Sequence, residues 1–151
     1  MDAIDGRIVE LLRANARLTF AELGRKVGLS APAVHDRVGK LESSGVLLGY
    51  HAVANPDAIG LGVTALVGII ESDTGESDDV ASALHELEEV ESCYFLAGEE
   101  SFLVKVRVHT MAELERLIGR INRIPGIART RTTVALSTKW EGRPQPGRYP
   151  D

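Results

Sequence analysis

Residues 18–41 carry the local signals of two short helices joined by a tight turn. Thr19 and Glu22 have capping-box spacing, in which the hydroxyl accepts from an early helix amide and the carboxylate accepts from the amide of the capping residue. Gly28 can take the positive φ at which many helices end, and Ser30 can cap a second helix. Because so short a turn makes the helices cross steeply, the stretch predicts a helix-turn-helix, which presents its second helix to a DNA major groove.

The second helix of this stretch has one apolar and one polar face. Its apolar residues recur at helical spacing and should pack inward: Val34, Val38 and Leu41. His35 and Lys40 face outward, where they could contact a base and a phosphate, and Asp36 is expected to pair with Lys40 four residues on. The candidate DNA-contacting residues are Arg25, Ser30, Ala31, Ala33, His35, Arg37 and Lys40.

Further elements surround this stretch. Apolar residues at helical spacing predict a helix over residues 4–14, so three helices open the chain. Residues 46–50 predict a short strand that forms a wing or a dimer contact. Asn55-Pro56 then interrupts regular structure. The first 50 residues are therefore interpreted as a DNA-binding domain, followed by a linker strand over 51–60.

The second half alternates strands and helices. An apolar, partly β-branched run over 61–70 predicts a strand covered on both faces, and strict alternation over 102–109 predicts a half-buried strand. Two further strands are expected over 90–97 and 129–138. Helices are expected after two caps, one formed by Ser77 and Asp78 and one by a Thr110–Glu113 capping box.

This order is strand-helix-strand repeated twice, which predicts a ferredoxin-like βαββαβ domain over 61–140 with both helices on one sheet face. The fold class is α+β, a winged helix-turn-helix followed by this domain. The other sheet face is open and apolar, so we expect a homodimer or a larger assembly. The tail, 141–151, is expected to be irregular or mobile.

Charge is distributed unevenly. The chain has a net charge of −5, yet residues 1–50 carry seven basic and six acidic side chains, so the acidity lies in the second half. A near-neutral segment with basic residues around two helices suits a DNA reader joined to a domain of another function. We see no signal peptide and no apolar run long enough for a bilayer, and we expect the cytoplasm.

Several chemistries are disfavoured. The single cysteine, Cys93, excludes an internal disulfide and a Cys-rich zinc site, and the four histidines are spread over different elements, so no metal site is expected. Residues 60–65 have dinucleotide-fingerprint spacing, but a β-branched run follows where a helix is needed. No nucleophile has an obvious base and orienting partner, which indicates that the protein is not an enzyme.

Five strings in this order resemble the Lrp/AsnC family of transcriptional regulators, also called feast/famine regulators. They are VGLS (27–30), RVGKLE (37–42), GVLLGY (45–50), LAGEESFLVK (96–105) and PGIARTRT (125–132). The resemblance implies an N-terminal DNA-binding domain and a C-terminal domain of the RAM/ACT-like kind. That second domain dimerises, assembles dimers into tetramers or octameric rings, and binds small effectors, usually amino acids.

The resemblance also implies where an effector lies. In the family it touches the loop and the strand that match residues 98–101 and 130–132 here. With the adjoining Ala97, the candidate effector-binding residues are Ala97, Gly98, Glu99, Glu100, Ser101, Thr130 and Thr132. Ser101 stands where the family loop commonly has aspartate. Either Glu99 or Glu100 supplies the anion for an effector's ammonium group, or this protein prefers a different effector.

The leading hypothesis is a sequence-specific transcriptional regulator whose operator binding or assembly is modulated by an amino acid, without a cofactor. One alternative is an architectural protein that coats DNA with little sequence preference, although the modest basic content counts against phosphate-driven binding. A second alternative is an amino-acid-sensing module that acts on a protein partner.

Overall fold

A computed structural model describes residues 1–149, and it divides into two compact units. One contains Met1–Val53 together with the C-terminal segment from Trp140, and the other contains Ala54–Lys139. Pro150 and Asp151, the end of the predicted tail, lie outside the described residues. No helix in the described part is both long and apolar enough to cross a bilayer.

The first unit is built from three helices, α1 (Ala3–Ala14), α2 (Phe20–Val27) and α3 (Ala31–Ser43). Each begins at a side-chain cap: Asp2 for α1, Thr19 for α2 and Ser30 for α3. Their apolar faces meet in one core: Ile8, Val9, Leu12, Leu23, Val34, Val38 and Leu41. The three predicted helices are therefore confirmed, with boundaries within one or two residues of the expected ones.

The strand predicted over 46–50 is wrong for the described chain. The amides of Val46 and Leu47 donate to the carbonyl of Leu41 at 2.9 and 3.0 Å, which finishes α3 rather than starting a ladder. Leu48 is 93% exposed and has no neighbouring strand among residues 1–149. The linker strand over 51–60 is wrong too, since this stretch contains a short 3-10 turn, Asp57–Ile59.

The second unit holds β1 (Val63–Glu71), α4 (Ser77–His85), β2 (Val90–Phe95), β3 (Phe102–Val108), α5 (Met111–Ile121) and β4 (Ile127–Val134). The strands form an antiparallel sheet in the order β2-β3-β1-β4, the ferredoxin-like arrangement predicted. Both helices pack on one face of the sheet, because one core joins Leu84 and Leu117 to Val67 and Val104.

Two predicted helix starts differ in detail. Ser77 does not cap α4, because its hydroxyl donates to the Glu71 carboxylate at 3.0 Å and Glu76 takes the cap position without a side-chain bond. Thr110 does cap α5, but the Glu113 carboxylate accepts from the amide of His109, one residue earlier than a capping box requires. Both helices nevertheless begin where the sequence predicts them.

The two faces of β1 differ in how far their side chains are buried. Val67 and Ile69 point toward the helices and are fully buried, whereas Leu66, on the opposite face, is 41% exposed. The chain itself therefore covers only one face of β1. The other face, apolar along β1, is the one expected to pack against a partner subunit, and that expectation stays a prediction. This open face positions the charged groups described below.

Candidate nucleic-acid and effector sites

The turn between α2 and α3 is held by local contacts. Thr19 and Glu22 form the predicted capping box, with N–H···O distances of 3.2 and 2.8 Å. Gly28 adopts a φ of +74°, and the amide of Leu29 donates to the carbonyl of Gly24 at 3.0 Å. A Cβ at Gly24 would lie 2.4 Å from the carbonyl oxygen of Leu29, so this position admits only glycine without a shift of the turn.

The outward face of α3 presents His35, Asp36 and Lys40, all exposed as predicted. The imidazole of His35 stands edge-on to the ring of Phe20 on α2, with ring centroids 5.1 Å apart and an interplanar angle of 87°. Asp36 does not pair with Lys40 as expected, because its carboxylate lies 3.5 Å from His35 Nδ1.

Arg37 points inward along α3. Its guanidinium donates to Asp2 at 2.8 Å and to Asp5 at 2.7 Å, at the beginning of α1. Asp2 also accepts from the backbone amide of Asp5, and that bond, followed by the one from Arg37, holds the pKa of the Asp2 carboxyl below its usual range. Arg37 therefore joins α3 to α1 rather than reaching outward.

The remaining candidate residues surround the turn. Arg25 is exposed in the last turn of α2, beside Lys26, which is also exposed but was not predicted from the sequence. Ser30 accepts from the amide of Ala33 at 3.4 Å as the cap of α3. Ala31 and Ala33 lie half-buried in the first turn of α3.

In the second unit, the candidate effector loop, 96–101, joins β2 to β3. Its end is tied to the sheet, because the amide of Ser101 donates to the carbonyl of Ile69 at 2.8 Å and its own carbonyl accepts from Leu96 at 2.8 Å. Ala97, Gly98 and Glu99 are exposed at its tip. The loop is thus a fixed reverse turn at the end of the open face.

Two arginines meet the carboxylates of this loop. Arg131 donates to Glu99 at 2.9 Å and to Glu100 at 3.0 Å, and Arg129 donates to Glu99 at 3.3 Å. The side chain of Glu100 crosses β1 at Gly68, where a Cβ would lie 2.8 Å from Glu100 Cγ. Glu99, next to it, raises the pKa of Arg131. We call Glu99, Glu100, Arg129 and Arg131 the charged cluster.

The sheet register separates the predicted effector residues. Thr130 lies opposite Ile69 and Thr132 opposite Val67, so both threonines are on the helix-covered face. Arg131 lies opposite Gly68 and is therefore on the open face with Glu99 and Glu100. Sequence reasoning missed Arg129 and Arg131, although their alternation with threonines along one strand was the available signal.

Other charges on the open face are paired as well. The Glu91 carboxylate accepts from Lys105 at 2.9 Å and also from Arg107. Partial burial raises the pKa of Glu91, but these bonds outweigh it and leave the pKa below its ordinary value. The Glu91 group lies along β2 and β3, away from the loop.

A cleft of about 300 Å³ runs between α4 and the edge strand β2, with His85, Cys93 and Phe95 among its lining residues. Partial burial raises the pKa of the Cys93 thiol, which lowers the fraction of reactive thiolate at neutral pH. Among residues 1–149, no group of three or more His, Cys, Asp and Glu side chains is arranged to hold a metal ion.

Comparison with known families gives two matches. Residues 1–42 match the model of the AsnC-type helix-turn-helix domain, and residues 64–145 match that of the Lrp/AsnC ligand binding domain. The chain is 44% identical over 143 residues to the HTH-type transcriptional regulator LrpA of Mycobacterium tuberculosis, with 95% of each chain covered.

Two solved structures are similar along the whole fold. One is a feast or famine regulatory protein from Mycobacterium tuberculosis complexed with L-methionine, with a TM-score of 0.89, 43% identity, and 97% of this chain and 99% of that chain covered. The other is a transcriptional regulator from Neisseria meningitidis in complex with L-methionine, with a TM-score of 0.86, 25% identity, and 97% and 96% covered.

Proposed function

Since the chain belongs to the Lrp/AsnC family of transcriptional regulators, we propose that it binds operator DNA through α2 and α3 and that an amino acid bound to its second unit alters this binding. The observation that carries the proposal is the capped helix-turn-helix, with its exposed polar face on α3, inside the segment that matches the family's DNA-binding domain.

In this proposal α3 lies in the major groove and α2 crosses the DNA backbone. His35 reads a base edge, while Arg25, Lys26 and Lys40 contact phosphates. Ala31 and Ala33, at the start of α3, are small enough to approach the thymine methyl group. Ser30 and Arg37 hold α3 in place and act on DNA only through its position.

The test is selection of genomic fragments by the purified protein, followed by competition among them. Lys40→Ala should weaken binding about equally on all fragments and reduce the salt dependence, whereas His35→Ala should change the preferred base at one position. A footprint spread evenly over unrelated DNA would favour an architectural protein. Failure to shift any fragment at low salt would favour a module that acts on a protein partner.

For the effector we propose that an amino acid enters the charged cluster. Its ammonium group pairs with Glu99 or Glu100, and its carboxylate pairs with Arg129 or Arg131. These side chains already pair with one another at 2.9–3.3 Å, so a zwitterion exchanges partners without leaving a charge unpaired. Ala97, Gly98 and Ser101 border the site, and Thr130 and Thr132 support the strand from its other face.

L-methionine is the first probe, because two structural relatives contain it. A ligand at a hundred times its dissociation constant adds about 2.7 kcal/mol of stability, which a melting curve resolves. The effector proposal fails if none of the twenty amino acids shifts the melting curve or changes operator affinity.

The proposed assembly is a homodimer through the apolar part of the open sheet face around Leu66, which leaves the charged cluster at the end of that face accessible, or a tetramer or octamer built from such dimers. Two copies of α3 would then read half-sites about one helical turn apart, so operators should be roughly palindromic. A monomer at micromolar concentration in analytical ultracentrifugation would contradict this assembly. We assign the protein no cofactor and no catalytic activity, and we place it in the cytoplasm, where such a regulator meets DNA.

A further inference from the structure

Gly6 is the fourth residue of α1, and glycine inside a helix costs about 1 kcal/mol relative to alanine. The position is buried against the C-terminal segment of the same unit. A Cβ at Gly6 would lie 2.6 Å from Cγ and 2.8 Å from Cβ of Tyr149. The missing side chain on α1 is therefore the space that the tyrosine ring occupies.

A second glycine receives the other end of this ring. A Cβ at Gly147 would lie 2.4 Å from both Cζ and the hydroxyl oxygen of Tyr149. The ring also packs against the core of the three helices. Both glycines are thus explained by one side chain, located 143 positions after Gly6 in the chain.

Polar contacts anchor the same ring. The Tyr149 hydroxyl donates to Glu10 on α1, and the amide of Gly147 approaches the same carboxylate at 3.4 Å. Arg13, one turn further along α1, donates to Glu10 at 2.9 Å. Glu10 has its pKa lowered, chiefly by the bond from Tyr149. The contact is therefore a fitted slot with a hydrogen-bonded end.

The slot is close to the contacts that orient α3. The amide of Gly6 donates to the carbonyl of Asp2 at 3.0 Å, and Asp2 and Asp5 are the two partners of Arg37. A change in α1 at Gly6 thus reaches α3 through two bonded contacts.

We propose that segment 140–149 is a docked part of the DNA-binding unit, with Tyr149 as its anchor in a slot on α1 formed by Gly6 and Glu10, and that undocking it weakens operator binding. The docking needs only the described contacts, whereas the effect on operators rests on the proposed function. The irregular tail expected from the sequence becomes a structural segment in this proposal.

The docking can be tested without DNA, because the effect of Gly6→Ala on the thermal midpoint should depend on whether Tyr149 is present. Gly6→Ala should lower the thermal midpoint of the full chain by about 5 °C or more, because the methyl group meets the ring. With Tyr149→Ala also present, Gly6→Ala should leave the midpoint unchanged or raise it, as alanine does elsewhere in helices. Gly39→Ala is the matched control, since nothing lies within 4 Å of its added Cβ, and its effect should be the same with and without Tyr149.

If Gly6→Ala fails to fold, rescue of folding by Tyr149→Ala supports the docking and absence of rescue overturns it. An equal effect of Gly6→Ala with and without Tyr149 also overturns it. Because Tyr149→Phe keeps the ring, Gly6→Ala should still lower the thermal midpoint when it is combined with Tyr149→Phe.

The operator arm compares Tyr149→Ala with Tyr149→Phe on the fragment that the unaltered protein binds best. We expect at least a tenfold loss of affinity for Tyr149→Ala and a smaller loss for Tyr149→Phe. If Tyr149→Ala binds the operator fragment as tightly as the unaltered protein, the proposed effect on operators is overturned. If the unaltered protein binds no fragment, the proposed function fails and the operator claim with it, while the melting data still decide the docking.

Discussion

Two arginines in this protein, Arg37 and Arg131, each pair with two carboxylates, but in different surroundings. Arg37 joins α3 to the beginning of α1 and is 30% exposed, whereas Arg131 lies on the open sheet face and is 55% exposed beside a Glu99 that is 62% exposed. The same pairing therefore cross-links two helices in one place and remains largely exposed to solvent in the other. In the helix-turn-helix, polar groups form caps and cross-links, whereas in the charged cluster Arg131 and Glu99 remain exposed.

The largest loss of stability is expected when the turn between α2 and α3 is disturbed, because tightly constrained contacts hold these helices. Gly24→Ala places a methyl group against the carbonyl of Leu29, and we expect a loss on the order of 3 kcal/mol in the free energy of unfolding. Gly39→Ala, on the exposed face of α3, should instead raise the free energy of unfolding by about 0.5–1 kcal/mol. Urea unfolding of both variants checks this, and equal effects would show that the turn is not tightly constrained.

The next effect compares the two arginines directly. Arg37→Met leaves Asp2 and Asp5 without their cation, so we expect a thermal midpoint several degrees lower and weaker operator binding. Arg131→Met should change the midpoint little but abolish stabilisation by the amino acid that stabilises the unaltered protein. Thermal shift with and without that amino acid measures both. If Arg131→Met is the more destabilising variant, the two roles are reversed.

Acid should weaken the Arg37 contact. The pKa of Asp2 is lowered in the folded state, so its contribution to stability is present above the ordinary value of 3.8 and is lost as pH falls through the lower, folded value. The difference in stability between the unaltered protein and Arg37→Met should therefore be constant near neutral pH and shrink below about pH 4. Denaturant titrations at several pH values measure this difference, and a gap that stays constant down to pH 2 would assign the effect to packing instead.

Local signals predicted much of the fold. The caps at Thr19 and Ser30 and the alternation along β3 depend on neighbours within a few residues, and the structure contains all three. The strand over 46–50 failed because a strand needs a partner, and apolar composition does not supply one. The prediction of Ser77 as a cap was wrong because its hydroxyl donates a hydrogen bond to Glu71 at the end of β1.

The sites were harder to predict for the same reason. Strand register decides that Arg131, and not Thr130 or Thr132, shares a face with Glu99, and a shift by one residue would exchange them. The sequence predicts Arg37 as a DNA-contacting residue because its actual partners, Asp2 and Asp5, lie more than thirty positions earlier in the chain. Long-range contacts of this kind leave no local pattern.

The smallest expected effect concerns how the helix-turn-helix orients His35, the side chain that we propose reads a base. Phe20→Leu keeps an apolar residue at the start of α2 but removes the ring that stands at 87° to His35, so the imidazole gains rotational freedom. We expect nearly unchanged stability and a relaxed base preference at the position affected by His35→Ala. Met111→Leu, at the equivalent first position of α5, is the matched control and should leave the preference intact. If selected sites for Phe20→Leu keep the full preference, His35 is oriented by Asp36 or by the DNA itself, and the polar face of α3 is less preorganised than its caps and cross-links suggest.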